Sequence, residues 1–412
     1  MRLGIITKKG VSMADKQGLP LAGVKVVEFT HMVMGPAAGL MLADLGADII
    51  RIEPAKGDNT RRLPGSGAGY FPMYNRNKRS LCVDLKSDAG KELVLKLVDE
   101  ADVVIENFRP GTMDRLGFGY DALKARNPRL IYCSEKGFLS GPYEHRTALD
   151  EVAQMMGGLA YMTGPPGQPL RAGTSVIDVQ GGMFGALGIV AALYQRNATG
   201  EGQYVVASLY ESTVFLVGQH MAQYAVTGKP AAPMPARVSA WAIYQVFETG
   251  DDDQVFVGVV SDKQWKLLCE SFGLDELAAD PTLETNNDRV AHKDRLLPII
   301  KETFRQFTKQ ELMEKLEATG LPFAPIARPE ELFDDAHLNA NDGLLEITVT
   351  DGGRAGETAR LPALPLEMDG QRFGIHRDVP RKGQHTREIM AAAGYSDAEI
   401  DALIEQGAVG AE

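Results

Sequence analysis

Residues 173–187 read GTSVIDVQGGMFGAL, and the carboxylate at position 178 stands in apolar company. Asp178 lies between Ile177 and Val179, just ahead of a Gly-Gly pair and a long apolar run. Two uses fit such a residue. As a helix N-cap near Gly181 it would satisfy amide N–H groups that have no partner in the helix. As a reacting group it would sit by the positive end of the following helix, where negative charge developing on an attacked carbonyl is stabilised. The Gly-Gly pair leaves room for a ligand or for another backbone. His31, in FTHMVMGPAAG, is a second candidate. It falls at the C-terminal end of the first expected strand, where open α/β sheets bind ligands, although a lone histidine is more often structural.

Basic residues cluster in an otherwise acidic chain: Arg61, Arg62, Arg76, Lys78 and Arg79, with Lys86, Arg109, Arg115 and Lys136 beyond. They read either as a solvated face or as a local pocket for phosphate or pyrophosphate, with arginine suited to bidentate contact. Gly35-Pro36 opens a helix whose amides would face an anion, or is simply proline in a first turn. The net charge of −12 argues against nucleic acid or an anionic membrane surface as partner. Three distant cysteines, without CxxC spacing, and seven scattered histidines, without HExxH, argue against disulfides and zinc and fit a reducing cytoplasm. The GxGxxG spacing of dinucleotide binding is absent from the first βα loop.

These residues need a frame to hold them. Val24–Phe29, Asp48–Glu53, Asp102–Glu106, Leu130–Ser134 and Gln203–Ser208 are expected strands. Helices are expected between them over Ala37–Leu45, Asp88–Glu100, Tyr120–Asn127 and Gly181–Gln195. Such alternation predicts an α/β fold with a Rossmann-like, doubly wound parallel sheet. Past a Pro/Ala-rich connector near Pro230, a hairpin (Ala242–Phe247, Val255–Val260) and amphipathic helices suggest a smaller α+β domain. Ser396 and Glu399 form a capping box for a last helix. The expected division is a flexible lead-in over 1–20, a large domain over 21–225, a small domain with linkers over 226–345, and a return segment over 346–412 completing the large domain. Glycine or charge interrupts the apolar stretches, so no transmembrane helix is expected, and the apolar patch at the N-terminus is too short for a signal peptide.

Together the stretches LAGVKVVEFTHMVMGPAAGLMLADLGADIIRIEPAKGD, ENFRPGTMDRLGF, LDEVAQMMGGLAYMTG and VIDVQGGMFGALGIVAALYQRNATGEGQYV resemble the class III CoA-transferases of CaiB/BaiF type. The resemblance runs from residue 21 almost to the end. It implies an interlocked, ring-like homodimer and no tightly bound cofactor, with coenzyme A and acyl-CoA as substrates. It matches Asp178 to the family's catalytic aspartate, which forms a mixed anhydride and then an aspartyl-CoA thioester. It matches His31, Lys86, Asn107, Phe108, Arg115 and Lys136 to CoA-site positions, and gives Asp150 a supporting electrostatic role beside the acyl site.

The sequence also departs from relatives within that family. The run of four glycines that some members use as a flap is missing, and Val33 stands where formyl-CoA:oxalate members have glutamine. The related α-methylacyl-CoA racemases place a histidine before the aspartate matching Asp150; here it is Leu149, so two-base racemisation lacks a base. Arg171, seven residues before Asp178, is either a surface residue of its Pro/Gly loop or a guanidinium aimed at the second carboxylate of a diacid. Met155, Met156 and Met162 are core or an adaptable acyl pocket. A racemase and a non-catalytic acyl-CoA-binding protein are the alternative functions.

Overall fold

A computed structural model describes residues 18–237 and 239–412. The expected flexible lead-in over 1–20 therefore lies, as far as residue 17, outside the described residues. The described residues divide into two compact units, 18–235 with 336–412, and 236–335.

The first unit is built on a parallel sheet of β1 (Lys25–Phe29), β2 (Asp48–Glu53), β3 (Lys78–Val83), β4 (Val103–Glu106), β5 (Ile131–Lys136) and β6 (Tyr204–Ser208). Their order is β3-β2-β1-β4-β5-β6, and a short antiparallel strand, Val409–Gly410, pairs on the β3 edge. This is a doubly wound order, with its switch point between β1 and β4. The strands are apolar runs because helices cover both faces. On one face, Val27, Phe29 and Val104 pack with Leu93, Val98 and Ile389. On the other, Val26, Ile49 and Ile105 pack with Leu42, Ala186 and Ile189. The principal helices are α1 (Met34–Asp44), α2 (Asp88–Asp99), α3 (Tyr120–Arg126), α4 (Asp150–Met156), α5 (Val176–Thr199) and α6 (Asp397–Glu405). The Ser396 capping box forms as the sequence predicts, with Ser396 N donating to Glu399 at 2.8 Å.

Two expectations change. First, α5 begins at Val176, not at Gly181, so Asp178 is a first-turn residue and not the N-cap. Second, α5 is long and apolar enough, by length and composition, to cross a membrane, because its glycines do not break it. Neighbours occupy the space those glycines leave. A Cβ on Gly182 would come within 2.5 Å of the Met34 carbonyl oxygen, and one on Gly181 within 2.6 Å of the Met34 side chain. The Gly-Gly pair thus admits the backbone of α1, which is the close approach that removing side chains permits.

The basic cluster is likewise neither a solvated face nor a phosphate pocket over most of its length. Arg61 pairs with Glu53 at 2.7 Å, Arg76 with Asp44 at 2.6 Å and Lys78 with Glu28 at 2.9 Å, all buried. Arg79 is mostly covered and bridges Asp48 and Glu388. Carboxylates on neighbouring strands and on α1 neutralise these cations inside the unit, as buried charge requires.

The second unit packs helices Asp262–Phe272, Lys293–Phe304 and Lys309–Thr319 on an antiparallel sheet of β7 (Ile243–Glu248), β8 (Gln254–Val259) and β9 (Phe323–Pro325). Phe247, Val255, Val257, Trp265, Leu268 and Phe304 form its core.

Candidate active site

The switch point places the loops after β1 and β4 side by side. Asn107 ties them: its Oδ1 accepts from the His31 amide at 3.0 Å and its Nδ2 donates to the His31 carbonyl at 2.9 Å. The His31 ring stacks on Phe108, with centroids 5.4 Å apart. Burial holds the His31 imidazole below its ordinary pKa, so it is neutral near pH 7. Lys136, at the end of β5, donates to Glu106 at 2.8 Å and to the Phe108 carbonyl at 2.7 Å, fixing the same loop.

The α5 N-terminus meets this edge. Ser175, its N-cap, makes no side-chain capping bond. The cap comes from another helix: Asp150, first residue of α4, accepts from the amides of Ile177 at 2.8 Å and Asp178 at 3.2 Å through one oxygen. Its other oxygen accepts from Gln154 at 2.5 Å, and Gln154 in turn accepts from the Ala172 amide at 2.9 Å. One buried hydrogen-bonded chain thus orients the Arg171 loop, α4 and the first turn of α5. Arg171 is held by an ion pair with Glu151 and by the Ala172 carbonyl at 3.2 Å.

His31, Asn107, Phe108, Lys136, Asp150, Arg171 and Asp178 share one cleft of about 350 Å³. Lys86 and Arg115 are exposed and outside its wall; Arg115 donates to Thr112 at 3.0 Å and the Lys86 amide to Asp84 at 3.0 Å. Met155, Met156 and Met162 are not in the wall either. Residues the sequence did not single out also line it: Glu135, Glu144, Arg146 and Glu151. Glu135 carried a signal, a charged residue continuing a strand of buried apolar residues, but the expected strand stopped at Ser134. Among the described residues, no group of three or more His, Cys, Asp or Glu is arranged to hold a metal ion.

Burial, then the nearby Asp150 carboxylate, push Asp178 up to about 7, while the Arg171 guanidinium opposes the rise. A carboxyl of this acidity is ionised in a large fraction of molecules near neutrality. It is also more basic than an ordinary aspartate, and it stands at a helix N-terminus beside a cleft. Such a group can attack an acyl carbon.

The profile of CoA-transferase family III matches residues 21–386. The chain is 34% identical to the succinate–glutarate CoA-transferase of Agrobacterium fabrum, covering 90% of this chain and 95% of that protein. It is 38% identical to the acetyl-CoA:oxalate CoA-transferase of Acetobacter aceti, covering 85% and 90%. The crystal structure of a CAIB/BAIF family protein from Brucella suis superposes with a TM-score of 0.80 at 33% identity, covering 92% of this chain and all of that one. With a doubly wound sheet, a cleft at its switch point and this match over nearly the whole length, the chain belongs to CoA-transferase family III and is a class III CoA-transferase.

Proposed function

We propose that the protein moves CoA from a dicarboxylyl-CoA, such as succinyl-CoA, to a free carboxylic acid, with Asp178 as the covalent carrier. The observation that carries this reading is the Asp178 carboxyl in the first turn of α5, facing a cleft it shares with Asp150 and Arg171. Asp178 attacks the thioester carbonyl, the C–S bond breaks and CoA thiolate leaves a mixed anhydride. The thiolate then attacks the aspartyl carbonyl, releasing the donor acid and leaving an aspartyl-CoA thioester. The acceptor carboxylate attacks that thioester, and the thiolate expelled takes the acceptor acyl group from the second anhydride. Asp178 is regenerated, no proton is gained or lost, and water must be kept from both anhydrides.

A diacid is favoured because Arg171 offers a guanidinium in the cleft wall and because the relatives described above are named for succinate, glutarate and oxalate. His31, Asn107, Phe108 and Lys136 would meet the CoA portion, with Lys86 and Arg115 further along it. Leu149 in the cleft wall supplies no second base, so the geometry does not favour a racemase. An interlocked homodimer is part of the reading. It is supported by an apolar face on α5 and the helices after it, where Leu187, Tyr194, Phe215 and Val226 are 62–82% exposed. The free, buried Cys82, Cys133 and Cys269 suit a reducing cytoplasm.

The test is covalent trapping. Incubation with succinyl-CoA followed by hydroxylamine or borohydride should modify the peptide bearing Asp178, and Asp178→Asn should abolish the modification. A panel of acyl-CoAs giving no adduct, together with deuterium uptake at the α-carbon, would transfer the case to the racemase.

A further inference from the structure

We propose that the Glu135 carboxyl is a substrate-reading group of this cleft, acting as hydrogen-bond partner for a polar atom at the far end of the bound acyl group; what fills the cleft rests on the transferase reading above. Glu135 belongs to the cleft wall, yet it is only 2% exposed, and neither carboxyl oxygen has a hydrogen-bond partner. The site is shaped for it. A Cβ on Gly185 of α5 would come within 2.3 Å of Glu135 Oε1, so the glycine makes the space in which the carboxyl lies.

The surroundings keep this carboxyl neutral. The charged groups it feels are Glu28, Glu106, Asp178 and Lys78. Lys78 is committed to Glu28 at 3.0 Å, the Pro36 carbonyl at 2.9 Å and Asn75 at 3.3 Å. Glu106 is committed to Ser134 and Lys136. Ionised Glu135 would thus be a buried charge without a counter-ion, facing other carboxylates. Burial accordingly raises it well above the usual carboxylate range. A neutral carboxylic acid carries an O–H, and a buried donor of this kind left unpaired is costly. A bound ligand can supply the acceptor.

Position selects the ligand. Asp178 and Gly185 are seven residues apart on α5, two helical turns and about 10 Å of rise. Glu135 is therefore set back from Asp178 in the wall the two share, and the far end of an acyl group lying in that cleft, not its reacting carbonyl, is the part that approaches it. A second carboxylate there would accept a short charge-assisted O–H···O⁻ bond. The class is therefore acyl-CoAs whose acyl chain ends in a hydrogen-bond acceptor, as a four- or five-carbon diacid does.

The experiment compares affinity for succinyl-CoA and butyryl-CoA by calorimetry, with Asp178→Asn present throughout to block turnover. Glu135→Met replaces an unpartnered buried acid with an apolar side chain of similar length, and its melting temperature should not fall. It should lower the preference for succinyl-CoA about tenfold, the effect of losing one hydrogen bond to a charged group. Glu135→Gln keeps a donor and should preserve the preference. An unchanged preference in Glu135→Met overturns the assignment, as does an equal loss in both variants. Binding is read without acyl transfer, so a wild-type protein that forms no Asp178 adduct would fail the transferase reading and leave this ratio to judge Glu135.

Discussion

A single oxygen of Asp150 accepts hydrogen bonds from the backbone amides of Ile177 and Asp178, at 2.8 and 3.2 Å. One carboxylate therefore caps the helix that carries the other. The arrangement holds the first turn of α5 in place and sets a negative charge beside Asp178. The two effects are separable, because asparagine can accept the same amide bonds without the charge.

That separation predicts the pH dependence. In the mechanism proposed above Asp178 attacks as the carboxylate, so acylation should rise with pH through about 7 and level off above. Asp150→Asn removes the raising charge and should shift the rising limb to lower pH. Arg171→Met removes the opposing cation and should shift it to higher pH. Single-turnover acylation by succinyl-CoA, measured from pH 5 to 9, checks both signs; shifts in the same direction would refute the electrostatic account.

Stability should respond to the same group. The folded protein holds the Asp178 proton more tightly than the unfolded chain does, near 7 against 3.8. Asp178 thus favours the fold below pH 3.8, and that contribution is lost as pH rises through 7. Asp178→Asn, which cannot ionise, should melt a few degrees higher than wild type at pH 8. The gain should vanish near pH 4. Calorimetry at the two pH values tests this, and a variant less stable at pH 8 would contradict it.

Periodicity and breakers made the sheet readable from sequence. Runs such as DIIRIE can be buried on both faces only in a covered parallel sheet, and Ser396 with Glu399 signals a helix start by itself. The position of Asp178 was harder to infer. The cap that lets α5 begin at Val176 comes from Asp150, 28 residues away, and no local pattern reports a partner across space. The basic residues misled for the same reason. A cation at Arg61 or Arg76 reads as surface until the strands bring Glu53 and Asp44 against it. The family resemblance carried Asp178 and Asp150, but it had nothing to say of Glu135, whose burial depends on Gly185 of α5.

The Glu53–Arg61 pair should matter most in acid. Burial by itself would raise the Glu53 carboxyl, but the hydrogen-bonded Arg61 guanidinium, with Arg51 nearby, brings it down to about 2 from an ordinary 4.5. Its contribution is present above pH 4.5 and lost as pH falls through 2. Glu53→Gln should destabilise the fold at pH 7 by at most about 3–5 kcal/mol, because buried Arg61 then keeps only Asp351 as a carboxylate partner. The gap from wild type should narrow as pH falls below 4.5 and be smaller at pH 3. Urea unfolding at pH 7 and pH 3 measures both quantities, and a gap that widens in acid would contradict the assignment.

Arg171 decides between acids if the diacid reading holds. Its guanidinium uses NH1 on Glu151 and Nε on the Ala172 carbonyl, so it is oriented before substrate arrives. Arginine has five donors, so these two contacts leave others for a ligand carboxylate. Arg171→Ala should raise the KM for succinate or glutarate as acceptor by tenfold or more, and hardly change that for acetate or butyrate, which have no second carboxylate. Glu151→Gln keeps a hydrogen-bond acceptor for Arg171 and removes a negative charge that repels diacids, so it should lower the diacid KM. The two substitutions act in opposite directions on one group of substrates. A structural role for Arg171 would instead make its replacement harm mono- and dicarboxylic acceptors alike, and steady-state kinetics with both acid classes separates the cases.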